Sequence, residues 1–161
     1  MKLKYSLLSV AAAAALLVAP ALHAKPFKWA SQGEIATWDI HSQNNALQNG
    51  IHANVYESLV YYNSKTFDVE PVLATAWKEI SPTQVRFTLR QGVKFHDGSA
   101  FTADDAVYSL QRAMAKTSNF TPYIQGISKI NKVDAQTIDV ILTAPNPVLL
   151  RQMTELRMMS K

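Results

Sequence analysis

The sequence predicts a mixed α/β fold, with helices and strands interleaved along one chain. Two kinds of periodicity point to it. Val85, Phe87 and Leu89 alternate with Arg86, Thr88 and Arg90, the period of a half-buried strand, and Ile138, Val140 and Leu142 repeat that pattern. Leu47, Ile51, Val55 and Leu59 recur at every fourth position, the spacing of one helix face. A third observation is a capped helix start. Thr102 precedes an apolar-periodic run through Val107, Leu110 and Met114, with Asp105 three residues after the cap. Strands and helices in one short chain favour a mixed class over a pure one.

In chain order, Lys2 and Lys4 are followed by an uncharged run from Leu7 to Val18 and then by small residues up to Ala24. This is the three-part pattern of a secretory signal peptide, so residues 1–24 are expected to be cleaved and 25–161 to form the mature chain. The competing reading is a membrane anchor, which needs ~20 apolar residues; here Pro20 and His23 interrupt the end of the run. Phe27–Ala30 alternates and predicts a short first strand. Asp39 to Asn45 is polar and loop-like. The four-residue repeat then predicts a helix from about Leu47 that runs on to between Tyr61 and Asn63, with Gly50 weakening it by ~1 kcal/mol.

Leu73, Ala74 and Trp77 suggest a helical turn, and Ser81-Pro82 a chain reversal. The strand over Val85–Leu89 ends before Gly92. A second alternating stretch, Val93 and Phe95 against Lys94 and His96, leads to the turn pair Asp97-Gly98. The capped helix follows, with Asp104 and Asp105 at the positive end of its dipole. Thr117–Thr121 reads as a loop interrupted by Pro122-Tyr123. Strands are expected from Ile127 and around Ile138, joined by a hairpin turn at Asp134-Ala135-Gln136. After Pro145 and Pro147, the residues Leu149, Leu150, Met153 and Leu156 start a helical pattern with no evident partner, which suggests that cover for them is missing; a short terminal helix packed on the body is the alternative.

Composition narrows the function classes. The 161 residues carry a formal charge of +4. Without Lys2 and Lys4 the balance is 14 basic against 12 acidic residues, or +2, scattered without a basic run or face. Nucleic-acid binding would call for a cluster, and no nucleic-acid partner is expected. There is no cysteine, so neither a disulfide framework nor a lipid-anchored start is available. His41, His52 and His96 with Asp39 and Asp97 are the candidate metal ligands of an alternative secreted hydrolase. No histidines stand at a helical metal-binding spacing, however, and no catalytic residue, metal or cofactor is expected.

One stretch carries a resemblance. Pro71, Leu73, Ala74 and Trp77 are followed in order by Phe87, Leu89, Arg90, Gly92, Val93, Phe95, Asp97, Gly98, Phe101, Thr102, Ala103 and Asp105. This resembles the signature region of the family 5 extracytoplasmic solute-binding proteins of ABC transporters, the peptide- and nickel-binding type. Weaker similarity extends over Trp38–His41 and Tyr56–Tyr61, with Ile40 where the family usually has proline and Ser58 where it often has glycine.

The resemblance implies a partial lobe I of a two-lobed, type II periplasmic-binding-protein-like fold, with the second lobe absent. It implies an exported, periplasmic, monomeric protein that binds a peptide or similar small solute and docks on ABC permease subunits in the inner membrane. Nickel and oligosaccharide are alternative solutes, and an adaptor using one lobe is a further alternative. It also implies ligand contacts at Asn44, Asn45 and Ala46, in the loop that lies along a peptide backbone, and at Tyr123 of the Pro-Tyr pair. The Asn-rich loop reads equally as a helix-entry turn, and Tyr123 equally as packing beside proline. Most signature residues read as scaffold, and Arg90 as a solvated strand-end charge.

Overall fold

The computed structural model describes residues 26–161, so the expected signal peptide at residues 1–24 lies outside the described residues. The chain divides into two units, residues 1–32 and residues 33–161. In the first, residues 26–32 form neither strand nor helix, and Phe27 and Trp29 are 89% and 65% exposed. The strand expected at Phe27–Ala30 is therefore not formed. Alternation is not sufficient for a strand, because the backbone also needs a hydrogen-bonding partner, and no described strand pairs with this one.

The second unit runs α1 (Ala46–His52), β1 (Val60–Tyr62), β2 (Val69–Pro71), β3 (Ala74–Ser81), β4 (Gln84–Leu89), α2 (Ala103–Ala113), α3 (Thr121–Ile124), β5 (Ile127–Asp134), β6 (Thr137–Leu142) and α4 (Leu149–Met153). Two antiparallel sheets result, β1-β2 and β3-β4-β6-β5. The class is mixed, as expected.

The four-stranded sheet is built around β4, where Phe87 pairs with Trp77 on one side and Ile138 on the other. Phe87, Leu89, Ile138 and Val140 are buried. Helix α2 packs on β5 and β6. Its buried face centres on Ala103, Ala106, Leu110 and Ala113, with Val107 and Met114 at the margin. Small residues let the helix approach the sheet closely. The cap forms as its spacing predicts. The Thr102 hydroxyl accepts from the Asp104 backbone N–H, and Asp105 Oδ2 accepts from the Thr102 backbone N–H at 2.8 Å. On the opposite face of β4 and β6, Arg86 grips Asp139 through two bonds of 2.7 and 2.8 Å, which lets a carboxylate sit buried in the middle of β6.

Three expected elements differ. Helix α1 stops at His52, short of the Tyr61–Asn63 end read from the repeat. The Asn54 side chain donates back to the Gly50 carbonyl at 2.9 Å and closes the helix, and Val60–Tyr62, a β-branched and aromatic run, pairs with β2 as a strand. The turn expected at Leu73–Trp77 is instead the start of the edge strand β3. The loop around Pro122 contains α3, in which proline occupies a first-turn position that lacks a helical N–H partner in any case. The hairpin turns at Ser81-Pro82, Asp97-Gly98 and Asp134–Gln136 all form, with Gly98 at φ 88°. Val93 and Phe95 flank a single bridge between Lys94 and Ala100 rather than a full strand.

The C-terminal segment does have cover. Leu149, Met153 and Leu156 are buried and Leu150 is half-buried, with α4 packed on α3 and β1. Ser58 and Arg157 form an antiparallel bridge, and Met158 N–H donates to the Glu57 carbonyl at 2.8 Å. The expectation that these residues lack a partner is corrected: β1, missed in the sequence, supplies it. No helix among the described residues is long and apolar enough to cross a membrane.

Candidate functional site

The site is organised by the polar segment Asp39–Asn45, which enters α1 and lies against the turn between α2 and α3. Asp39 anchors it. Its two carboxylate oxygens each accept from Arg112 of α2 at 2.6 Å, and Oδ1 also accepts from the His41 backbone N–H at 3.0 Å. The Arg112 guanidinium, chiefly by hydrogen bonding, holds the Asp39 carboxyl well below the usual range, at about 2.

His41 is 2% exposed. Burial pulls its imidazole down to about 4, and the neighbouring Arg112 charge acts in the same direction. Arginine can only donate, so the 3.2 Å contact between Arg112 Nη1 and His41 Nδ1 makes Nδ1 the acceptor and places the ring proton on Nε2. That Nε2 is buried and hydrogen-bonds to the Arg157 backbone.

The other side of the loop is tied to Asn119. The Asn119 backbone N–H donates to the His41 carbonyl at 2.9 Å, its side chain donates to the Ser42 carbonyl, and its own carbonyl accepts from Asn44 Nδ2 at 3.3 Å. Asn44 Oδ1 accepts from Asn49 at 2.9 Å. Asn45 Oδ1 caps α1 by accepting from Gln48 N–H at 2.9 Å, while its Nδ2 makes no hydrogen bond among the described residues. Asn44, Asn45 and Ala46 are all exposed. The loop is thus a helix-entry turn that also presents an open amide edge.

Tyr123 lies within α3, just after Asn119. Its ring packs at 5.8 Å from Phe120, whose own ring meets His41 edge-on at 5.7 Å. It also lines an open cavity of about 320 Å3 with Tyr62, Val148, Arg151 and Glu155. Asn44–Ala46 and Tyr123 therefore flank one turn, Ser118–Phe120. A larger cavity of about 420 Å3 lies elsewhere, between the His96-Asp97 hairpin and Met158–Ser160.

Arg112, Asn119 and Arg157 were not among the residues singled out from the sequence. Each acts through contacts more than seventy residues away in the chain, for which the local pattern carries no signal. The histidines serve separate ends. His52 Nε2 lies 3.1 Å from the Thr37 carbonyl, and His96 is exposed on its hairpin. No cluster of three or more metal-ligating side chains occurs among the described residues. Arg90 is a solvated charge, 3.5 Å from Glu57.

The model of the family described as bacterial extracellular solute-binding proteins, family 5 (middle region), matches residues 68–161. The chain belongs to this family. Among solved family 5-type structures, the oligopeptide-binding protein AppA of Bacillus subtilis, solved with a nonapeptide, superposes with a TM-score of 0.75 at 21% identity, over 81% of this chain and 27% of AppA. At that identity the likeness speaks to the fold. The Escherichia coli murein tripeptide binding protein MppA gives a TM-score of 0.70 at 27% identity, over 78% of this chain and 28% of MppA. The HTH-type transcriptional regulator SgrR of Escherichia coli is 35% identical over 105 residues, covering 63% of this chain and 18% of the regulator. The chain thus spans about a fifth of the curated relative and a little over a quarter of the solved ones. The family 5 fold expected from Pro71–Asp105 is the fold observed.

Proposed function

We propose that this family 5 chain is the N-terminal part of lobe I, residues 25–161, of a periplasmic solute-binding protein that delivers peptides to ABC permease subunits. Residues 1–24 act as its cleaved export signal. The observation that carries the reading is the exposed Asn44–Ala46 loop, pinned to Asn119 beside Tyr123 in a member of a solute-binding family. An extended peptide is recognised through its main chain, which calls for fixed amide donors and acceptors with little side-chain selection. Asn45 Nδ2 is such a donor, held by a cap that fixes its side chain. AppA, an oligopeptide-binding protein solved with a nonapeptide, and MppA, described as a murein tripeptide binding protein, favour the same solute class.

The test is calorimetry on the full-length protein with di- and oligopeptides, a cellodextrin and a nickel chelate. Peptide binding that weakens in Asn45→Ala supports the reading; binding of the cellodextrin or the nickel chelate alone refutes it. The likeness to SgrR favours a second reading, in which this binding fold reports a solute to a regulator instead of feeding a permease. Cell fractionation separates the two: protein found in the periplasm supports transport.

A further inference from the structure

We propose that His41 is a proton-operated latch on the solute surface: its neutral ring ties the Asp39–Asn45 segment to α2 and to the backbone at Arg157, and taking up a proton unties the segment and releases the solute. The inference rests on the solute-binding reading above and gives that site its means of release.

The ring works at both nitrogens. Nδ1 accepts from Arg112 Nη1 at 3.2 Å, and Nε2 donates to the Arg157 backbone. Only the neutral Nε2–H tautomer can do both. A second proton has to land on Nδ1, which sets an N–H against an N–H of a guanidinium that cannot give up its charge. The neighbours offer no way round. On its own segment the facing charge is Asp39, but both carboxylate oxygens are held by Arg112 at 2.6 Å. From α2 comes Arg112 itself, with the Tyr108 hydroxyl beside it. From the C-terminal segment comes Arg157, a second, half-buried cation, with Glu155 as the acid that acts on it. From the turn before α3 come Phe120, edge-on at 5.7 Å, and Asn119, both without charge. At 2% exposure the ring has little water to stabilise a charge, and burial and Arg112 together hold it neutral down to about pH 4. A proton is taken up readily only once the ring has left this place, so acid favours the detached segment.

What the latch holds is the solute surface. The His41 carbonyl accepts from the Asn119 N–H at 2.9 Å, the Asn119 side chain donates to the Ser42 carbonyl, and Asn44 Nδ2 donates to the Asn119 carbonyl at 3.3 Å. Residues 39–45 contain no strand and no helix, so no ladder of backbone bonds keeps them in place when the ring lets go. Asn44–Ala46 then part from the turn that carries Tyr123, and the solute loses one side of its seat.

The experiment uses the full-length protein and trialanine, whose two ends scarcely titrate between about pH 4.5 and 7. Calorimetry across that range compares wild type with His41→Gln, whose amide offers an acceptor and a donor but takes no proton. Hydrogen exchange without peptide gives the protection of the Asn119 N–H and, as a measure of the sheet, of the Phe87 N–H. Wild-type affinity is expected to fall by roughly 3- to 50-fold from about pH 7 to 4.5, the upper bound being set by the gap between 6.5 and about 4. Protection is expected to fall at Asn119 and to hold at Phe87. In His41→Gln the affinities at the two ends of the range should agree within about twofold, whatever their absolute level. A wild-type affinity flat in pH overturns the proposal, and so does a fall as steep in His41→Gln; in both cases the bound trialanine leaves the peptide reading standing. If His41→Gln does not fold, exchange in the wild type decides: Asn119 and Phe87 losing protection together means unfolding of the whole and overturns the latch. No trialanine bound at any pH defeats the peptide reading, and the latch with it.

Discussion

Acid should loosen this protein through His41, and the effect is large enough to measure. The buried imidazole has its proton affinity reduced from 6.5 to about 4. Its folded value lies below its unfolded one, so between those two values the unfolded chain binds more protons. Stability from this group is present in full above about pH 6.5 and is lost as pH falls towards 4. That difference corresponds to about 3 kcal/mol in total, most of which is gone by about pH 4.5. Since His41 is 2% exposed, solvent screening takes little from the figure. Asp39 acts lower on the scale. Its carboxyl is held at about 2 against 3.8, so its contribution is lost only as pH falls between those values, and partial exposure cuts it to about 1 kcal/mol. Urea titrations of wild type and His41→Gln at several values from about pH 7 to 4.5 separate the two windows. Wild type should lose about 2 kcal/mol more than His41→Gln over that range. Parallel pH profiles for the two proteins would falsify the assignment of a neutral, buried imidazole.

Other perturbations have definite outcomes. Phe87→Ala empties a fully buried position between two strands and should cost about 3–5 kcal/mol in urea unfolding; a loss below 1 would show that the sheet face collapses to fill the space. Asp105→Ala removes the acceptor for the Thr102 N–H and should lower stability by about 1 kcal/mol, read as a drop in melting temperature that Asp105→Glu largely restores. Phe67 holds a left-handed φ of 66° at the tip of the β1-β2 hairpin while 73% exposed. Phe67→Gly should therefore raise stability by about 0.5–1 kcal/mol, and a loss instead would show that the edge contact with Tyr62 outweighs the backbone strain. Residues 25–161 alone should bind solute weakly in calorimetry, because an open surface covers too little of a ligand; micromolar affinity would contradict this.

What the sequence made legible was whatever is decided locally. The Thr102 cap, the Asp97-Gly98 turn and the Val85–Leu89 alternation each depend on residues a few positions apart, and each appears in place. Strand β3 was read as a helical turn for a physical reason. Its register with β4 shifts between Ala74 and Ala76 and again between Glu79 and Ser81, and these irregularities turn a period of two into the apolar spacing of a helix. Leu59 continued a four-residue repeat by coincidence, since it is buried beside a strand rather than on α1. Of the residues that the family likeness implies, Asn44 meets Asn119 and Tyr123 meets Phe120. The partners that hold them, Arg112 and Asn119, become neighbours only once the chain has closed on itself.

That closure has a consequence for the order of events during folding. The bonds that tie Asp39–Asn44 to Arg112 and Asn119 reach across 71 to 78 positions. Joining ends so distant costs about 4 kcal/mol in chain entropy before any bond is gained. Helix α2 and the β5-β6 hairpin, assembled from nearby residues, have no such delay. The segment Asp39–Asn44 thus settles after these local units, and a ribosome must release Arg112 before Asp39 has anywhere to dock.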